Sequence, residues 1–207
     1  MNQSKTAADN SSVVWQDGHV TLEDRVTILG QRPIAVWLTG LSGAGKSTLA
    51  FALERHLTSQ GRACFVLDGD NVRHGLNRDL GFSAEHRTEN IRRIAEVARL
   101  MNDAGLILIA AFISPYRADR EMARRIIGED RFIEVHVATP IAACEQRDVK
   151  GLYQRARAQE IANFTGVSAP YESPEHPAMV IDTSYTSLDD ALSQLMQVLE
   201  PRLITKA

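Results

Sequence analysis

Between a short apolar run (Ile34-Ala35-Val36-Trp37-Leu38) and a segment from Ser47 to Ser59 with helical periodicity, the chain reads Gly40-Leu41-Ser42-Gly43-Ala44-Gly45-Lys46-Ser47. This spelling, G-x-x-x-x-G-K-[ST], needs a buried strand before it and a helix after it, and the sequence supplies both. The glycines let the backbone curl until several N–H groups converge on an anion. The helix that starts there presents its positive end to the same charge. Lys46 adds a point charge for terminal phosphates, and the Ser47 hydroxyl suits a magnesium ligand. A plain glycine turn has no use for Gly-Lys-Ser. Gly40, Leu41, Ser42, Gly43, Ala44, Gly45, Lys46, Ser47 and the adjoining Thr48 are therefore expected to bind the phosphates of a nucleotide.

The rest of the chain fits one α/β domain. Apolar strand-length runs at residues 34–38, 63–67, 106–113, 132–137 and 179–181 alternate with helical segments at 47–59, 89–104, 120–127, 140–147 and 188–199. In the second of these, Ile91, Ile94, Ala98 and Met101 share one helix face. Alternation of this kind predicts a parallel sheet covered by helices on both faces, the three-layer P-loop NTPase fold. The pattern starts after Pro33. Before it, residues 1–12 read as a polar, mobile tail, and residues 13–20 as a hairpin turning at Asp17-Gly18. Thr21 and Asp24 form a capping box for a short helix to about Leu29. Residues 1–33 are thus expected to be an appendage to a domain spanning 34–207.

Composition narrows the classes. With 207 residues, 44% of them hydrophobic, the chain can bury one substantial core. A formal net charge of −3 offers no global basic field for nucleic acid. The longest apolar run, 106–113, is far short of the ~20 residues a membrane helix needs, and the first residues lack the apolar core of a secretory signal. Cys64 and Cys144 sit in apolar segments and read as reduced thiols, which points to a cytoplasmic protein. The six histidines show no metal-ligand spacing.

In open α/β sheets ligands lie beyond the carboxyl ends of the strands. Polar clusters fall at three such ends: residues 40–47, 68–73 and 114–117. A guanine-reading Asn-Lys-x-Asp is missing, and the chain is short for a motor or transporter ATPase. A small-molecule kinase is the remaining expectation.

Several further strings make this specific. They are Leu67-Asp68-Gly69-Asp70-Asn71-Val72-Arg73-His74-Gly75-Leu76-Asn77, Leu80-Gly81-Phe82-Ser83 and Arg87-Thr88-Glu89-Asn90-Ile91-Arg92-Arg93. With them go Phe112-Ile113-Ser114-Pro115-Tyr116-Arg117, Cys144-Glu145-Gln146-Arg147-Asp148-Val149-Lys150-Gly151-Leu152-Tyr153, Phe164-Thr165-Gly166 and Pro170-Tyr171-Glu172. Together with the glycine loop they resemble the adenylyl-sulfate kinase family, from about Val14 to Thr183. The resemblance implies transfer of the γ-phosphoryl of ATP, with Mg2+, to the ribose 3′-hydroxyl of adenosine 5′-phosphosulfate (APS). It also implies a homodimer and a functional link to an ATP sulfurylase.

The resemblance assigns Lys46, Asp70 and Ser114 to the catalytic centre. Asp70 is the carboxylate expected to orient the 3′-hydroxyl or accept its proton. Asp68 reads instead as a brace for its loop. A phosphoserine role attaches to Ser114 in resembling proteins, but in-line transfer between two bound nucleotides needs none, so a contact to the acceptor is expected, shared with Ile113. Arg73, Arg87 and Lys150 suit an anion clamp, since guanidinium forks match oxygen pairs, and Asn90 and Asn163 add neutral contacts. For a lone arginine the plainer reading is a solvated face; Arg92 and Arg93 are left with it, and His74 as a surface or loop residue. Phe82 and Phe164 lie in Gly-rich, polar loops and are expected to sandwich the acceptor adenine, against the usual reading of Phe as core.

Residues 147–166 carry Arg147, Lys150, Arg155 and Arg157 and resemble a mobile lid, with Arg147 stacking on the ATP adenine. Where the family reads Ala-Arg-Ala-Gly-Glu-Ile, this chain has Gln159. Helix propensity favours Gln over Gly by roughly 1 kcal/mol, which predicts a stiffer lid. Two rival readings remain: a kinase for a sugar acid, which needs no second pair of base-stacking rings, and a nucleotide sensor without turnover, against which Lys46 and Asp70 both speak.

Overall fold

The structure, a computed structural model, describes residues 13, 14 and 16–204. The expected tail at 1–12 lies outside the described residues. Five strands form one parallel sheet in the order β2-β3-β1-β4-β5. They are β1 (Ala35–Thr39), β2 (Cys64–Asp68), β3 (Ile107–Ala111), β4 (Phe132–Val137) and β5 (Met179–Ile181). The sheet is central because β1 is buried at every position. Its alternate residues face opposite cores: Val36 and Leu38 pack with one cluster, Ala35 and Trp37 with the other.

On the first face lie α2 (Lys46–Ser59) and α7 (Leu188–Leu203), contributing Leu49, Leu53, Leu195 and Leu199. The short helices α5 (Ile141–Arg147) and α6 (Leu152–Arg157) add Cys144 and Tyr153 to that face. On the second face α3 (Ala84–Asp103) and α4 (Arg117–Ile127) bring Ile91, Ile94, Ala123 and Ile127. The three-layer expectation holds.

Differences from the sequence reading have physical causes. Helix α3 begins at Ala84 because the Ser83 hydroxyl caps it, accepting from His86 N–H at 3.3 Å. Helix α7 runs through Pro201 because Leu199 and Leu203 are both fully buried. The capping box at Thr21 and Asp24 forms and starts α1 (Leu22–Leu29). The hairpin does not form: residues 13, 14 and 16–20 carry no strand, and Val13, Val14 and Val20 are exposed. Trp15 lies outside the described residues. A two-stranded ribbon without a buried face is marginal in water. What ties the N-terminal helix down is Gln31, whose side chain donates to the carbonyls of Ala63 (2.8 Å) and Gly105 (2.9 Å) and accepts from Ala63 N–H.

Candidate active site

The loop 40–45 closes β1 and opens α2 through Gly45, which caps the helix at φ 97°. Gly40 admits no side chain: a Cβ there would lie 2.3 Å from the Val137 carbonyl oxygen. The far side of the loop is held from behind. Thr139 and Thr183 hydroxyls donate to the Ala44 carbonyl (3.1 and 2.9 Å), and Arg147 donates to the Gly43 and Thr183 carbonyls (3.2 and 2.7 Å). Arg147 thus braces the loop as well as lining the cavity above it.

Lys46 is only 8% exposed and donates to the Gly40 and Leu41 carbonyls at 3.0 and 2.7 Å. Burial pulls its pKa down to about 8, against the raising fields of Cys144, Asp68 and Asp70. A phosphate arriving at the loop restores the charged form.

Beyond Ser47 the cavity turns acidic. The Ser47 hydroxyl donates to Asp68 Oδ2 at 2.6 Å, and Asp68 Oδ1 accepts from Asp70 N–H at 3.0 Å. Asp68 is buried at the end of β2, so it reaches the expected metal ligand directly and is more than the loop brace read from sequence. Asp70 is exposed and paired with Lys150 from the segment after α5. The donor set fits magnesium: one hydroxyl and two carboxylates, all hard oxygen. Among the described residues no group of three or more His, Cys, Asp or Glu forms a cage.

One cavity of about 970 Å³ runs from the loop across Asp70 to a second set of residues, Arg73, Phe82, Arg87, Asn90, Ile113, Ser114, Asn163 and Phe164. Leu41 borders instead a separate cleft of about 650 Å³. Arg73 donates to the carbonyls of Leu80 (2.9 Å) and Gly81 (3.2 Å), with its guanidinium 4.3 Å from the Phe82 ring centroid. Arg87 donates to the Phe82 and Asn163 carbonyls, at 3.1 and 2.8 Å. Burial lowers the pKa of both guanidiniums, and for Arg87 the neighbouring Arg73 adds to it, shifts that a bound anion reverses. Asn90 is buried and accepts from Asn77 at 2.9 Å, which fixes its amide.

Across this geometry, the adenylylsulphate kinase family model matches residues 32–182. The chain belongs to the adenylylsulphate kinase family. An adenylyl-sulfate kinase of Bacteroides fragilis is 56% identical over 90% of this chain and 93% of its own. One from Staphylococcus carnosus is 50% identical over 94% and 98%. The Mycobacterium tuberculosis APS kinase, solved in complex with AMPPNP and APS, is 45% identical at a TM-score of 0.78, covering 82% of this chain and 98% of that one. A gluconokinase from Sinorhizobium meliloti shares the fold at TM-score 0.56 and 12% identity.

The structure bears on three expectations for this chain. Phe164 is 8% exposed and packs edge-on against Tyr153 at 5.0 Å, while Phe82 is 58% exposed. The two rings are therefore unequal: one is core with an edge on the cavity, the other an open platform under Arg73. Ser114 is buried, and its hydroxyl accepts from the Trp37 indole at 3.1 Å, which is poor exposure for a phosphorylation site. Gln159 lies outside any helix. Helix α6 ends at Arg157, and Gln159 sits two residues on at φ 61°. That is the left-handed position where helices favour glycine. Helix propensity was the wrong measure, and the expected stiffening is withdrawn.

Thr139, Thr183 and Asp68 escaped the sequence reading as site residues. Asp68 was within reach, as an acid at a strand end beside the glycine loop. The two threonines have no local signal, because their partner is a carbonyl more than ninety residues away.

Proposed function

We propose that this chain transfers the γ-phosphoryl of ATP to the ribose 3′-hydroxyl of adenylyl sulfate, with the donor on the glycine loop and the acceptor across Asp70. The observation carrying this reading is the single cavity that joins loop, carboxylates and the Arg73–Arg87–Phe82 cluster. In the mechanism, the loop N–H groups and Lys46 hold the β- and γ-phosphates, and the helix α2 dipole reinforces them. Ser47 and the adjoining Asp68 and Asp70 carboxylates would hold Mg2+ together with the nucleotide, and the ion would supply charge neutralisation for the transferred group. Asp70 leaves Lys150 and takes a hydrogen bond from the acceptor hydroxyl, orienting it in line. Lys150, Arg73 and Arg87 exchange protein partners for the phosphosulfate oxygens, while Phe82 and the edge of Phe164 bound the adenine. Asn90, Asn163, Ile113 and Ser114 complete the acceptor wall. Transfer of this kind rests on positioning and charge more than on a strong base.

The test is ATP consumption by the purified chain with adenylyl sulfate, with gluconate and with no acceptor. Turnover only with adenylyl sulfate is expected. Turnover with gluconate alone would replace the reading by a sugar-acid kinase, whose fold this chain also shares. A homodimer working beside an ATP sulfurylase in the cytoplasm completes the proposal; sedimentation of the purified chain checks the dimer.

A further inference from the structure

Ser114 stands at the floor of the acceptor side with φ 39°, in the left-handed region that side chains rarely adopt. It precedes Pro115, which restricts its backbone further. Within the loop the Ser114 hydroxyl reaches the Phe112 carbonyl at a long 3.5 Å, and four contacts from elsewhere hold the segment. The Trp37 indole donates to its hydroxyl at 3.1 Å, and the Thr39 hydroxyl donates to the Ile113 carbonyl at 2.7 Å and the Ser114 carbonyl at 3.4 Å. The fourth is Arg120, whose Nη1 donates to the Ser114 carbonyl at 2.7 Å.

Arg120 does more than touch Ser114. It is 3% exposed, and its Nε donates to Glu134 Oε1 on β4 at 2.7 Å. Its Nη2 donates to the Glu172 carbonyl, also at 2.7 Å. Glu172 in turn donates its N–H to the Pro115 carbonyl at 2.8 Å, and Tyr171 shares a hydrogen bond with Thr39 at 3.0 Å. One guanidinium therefore ties α4, β4, the strand end after β3 and the 171–172 segment together. Arg120 itself does not line the cavity. A surface salt bridge needs no such three-way fork, and a buried pair alone needs only Glu134.

We infer that Arg120 is a positioning residue for the acceptor: it holds Ser114 in its left-handed conformation and so sets the Ile113–Pro115 wall against Asp70. The inference rests on the proposed reaction. Donor binding, built by the glycine loop, does not depend on it.

The experiment compares wild type, Arg120→Lys, and the double variant Arg120→Met/Glu134→Met, which removes both members of the buried pair and leaves Arg124 its Glu121 partner. Lysine keeps the charge opposite Glu134 but not the fork. Each is measured for ATP binding by calorimetry, for KM of adenylyl sulfate, and for the transfer rate per ATP-binding site. Both variants are expected to bind ATP within about twofold of wild type while kcat/KM for adenylyl sulfate falls roughly ten- to a hundredfold, as misplacement of a reacting group commonly does. Three outcomes overturn the inference: unchanged acceptor kinetics in folded variants, equal losses for ATP and acceptor, or a loss explained wholly by fewer ATP-binding sites. A wild-type chain inactive on adenylyl sulfate overturns the reaction itself, which separates the two failures.

Discussion

The two halves of the cavity are built by different means. The half proposed for the donor is mostly backbone: a glycine loop, a helix end and carbonyls fastened by Thr139, Thr183 and Arg147. Its lysine, Lys46, sits inside the loop on the Gly40 and Leu41 carbonyls. The acceptor half is mostly side chains from five chain segments, and its cations rest on protein partners: Lys150 on Asp70, Arg73 on Leu80 and Gly81, Arg87 on Asn163. On the proposed reading, donor binding meets a cradle whose backbone is already in place and asks Lys46 alone to turn from loop carbonyls, whereas acceptor binding exchanges the contacts of several side chains. The difference teaches that acceptor-side changes should alter selectivity and rate while leaving ATP affinity nearly untouched.

The sharpest test of that division is Asp70→Asn. It keeps the shape and removes the charge that orients the hydroxyl, so kcat should fall roughly 10²–10⁴-fold. Calorimetry should show ATP still bound; loss of ATP binding would mean the halves are not separable. Next, Arg87→Ala should raise KM for adenylyl sulfate about tenfold or more, in line with ~1.5–3 kcal/mol for a charged hydrogen bond, again with ATP affinity preserved.

A pH titration probes the donor half alone. Burial lowers the pKa of Lys46 to about 8, and in the proposed reaction its protonated form holds the ATP phosphates. ATP affinity should be flat below about pH 8 and weaken above it, by up to about tenfold per pH unit. The stability sign is opposite. The unfolded chain binds this proton more tightly, so between pH 8 and the unfolded value of 10.5 this group favours the folded state increasingly as pH rises. A Lys46→Met variant should lose both dependences.

The smallest effect concerns the rim. Gln159→Gly relieves a left-handed side-chain position, worth about 1 kcal/mol, and should raise Tm by roughly 2–4 °C in a domain of this size. A fall in Tm would show that the Gln159 side chain contributes a contact outweighing its backbone cost.

Much of the donor half was legible in the sequence because its geometry is local. A strand, a glycine turn and a helix N-terminus specify where the N–H groups point, whatever packs around them. The sheet was legible for a similar reason, since fully apolar runs such as Ile107–Ala111 admit burial on both faces. The acceptor half was legible only as a collection of residue types, read through a family resemblance. Phe82 and Phe164 look alike in sequence, in similar loops, yet one is open and the other packs on Tyr153. Gln159 looks like a good helix residue until the chain is seen to leave the helix before it.

The sequence by itself specified a phosphate-loop pattern at residues 40–47, a parallel sheet beneath it, and the family the chain resembles. Only the tertiary structure decided what fastens the site: Asp68 against Ser47, Thr139 and Thr183 behind the loop, Arg120 under Ser114. The physical reason is sequence distance. A short motif carries its own backbone geometry, whereas a hydrogen bond between segments far apart exists only after the core has packed and set their separation.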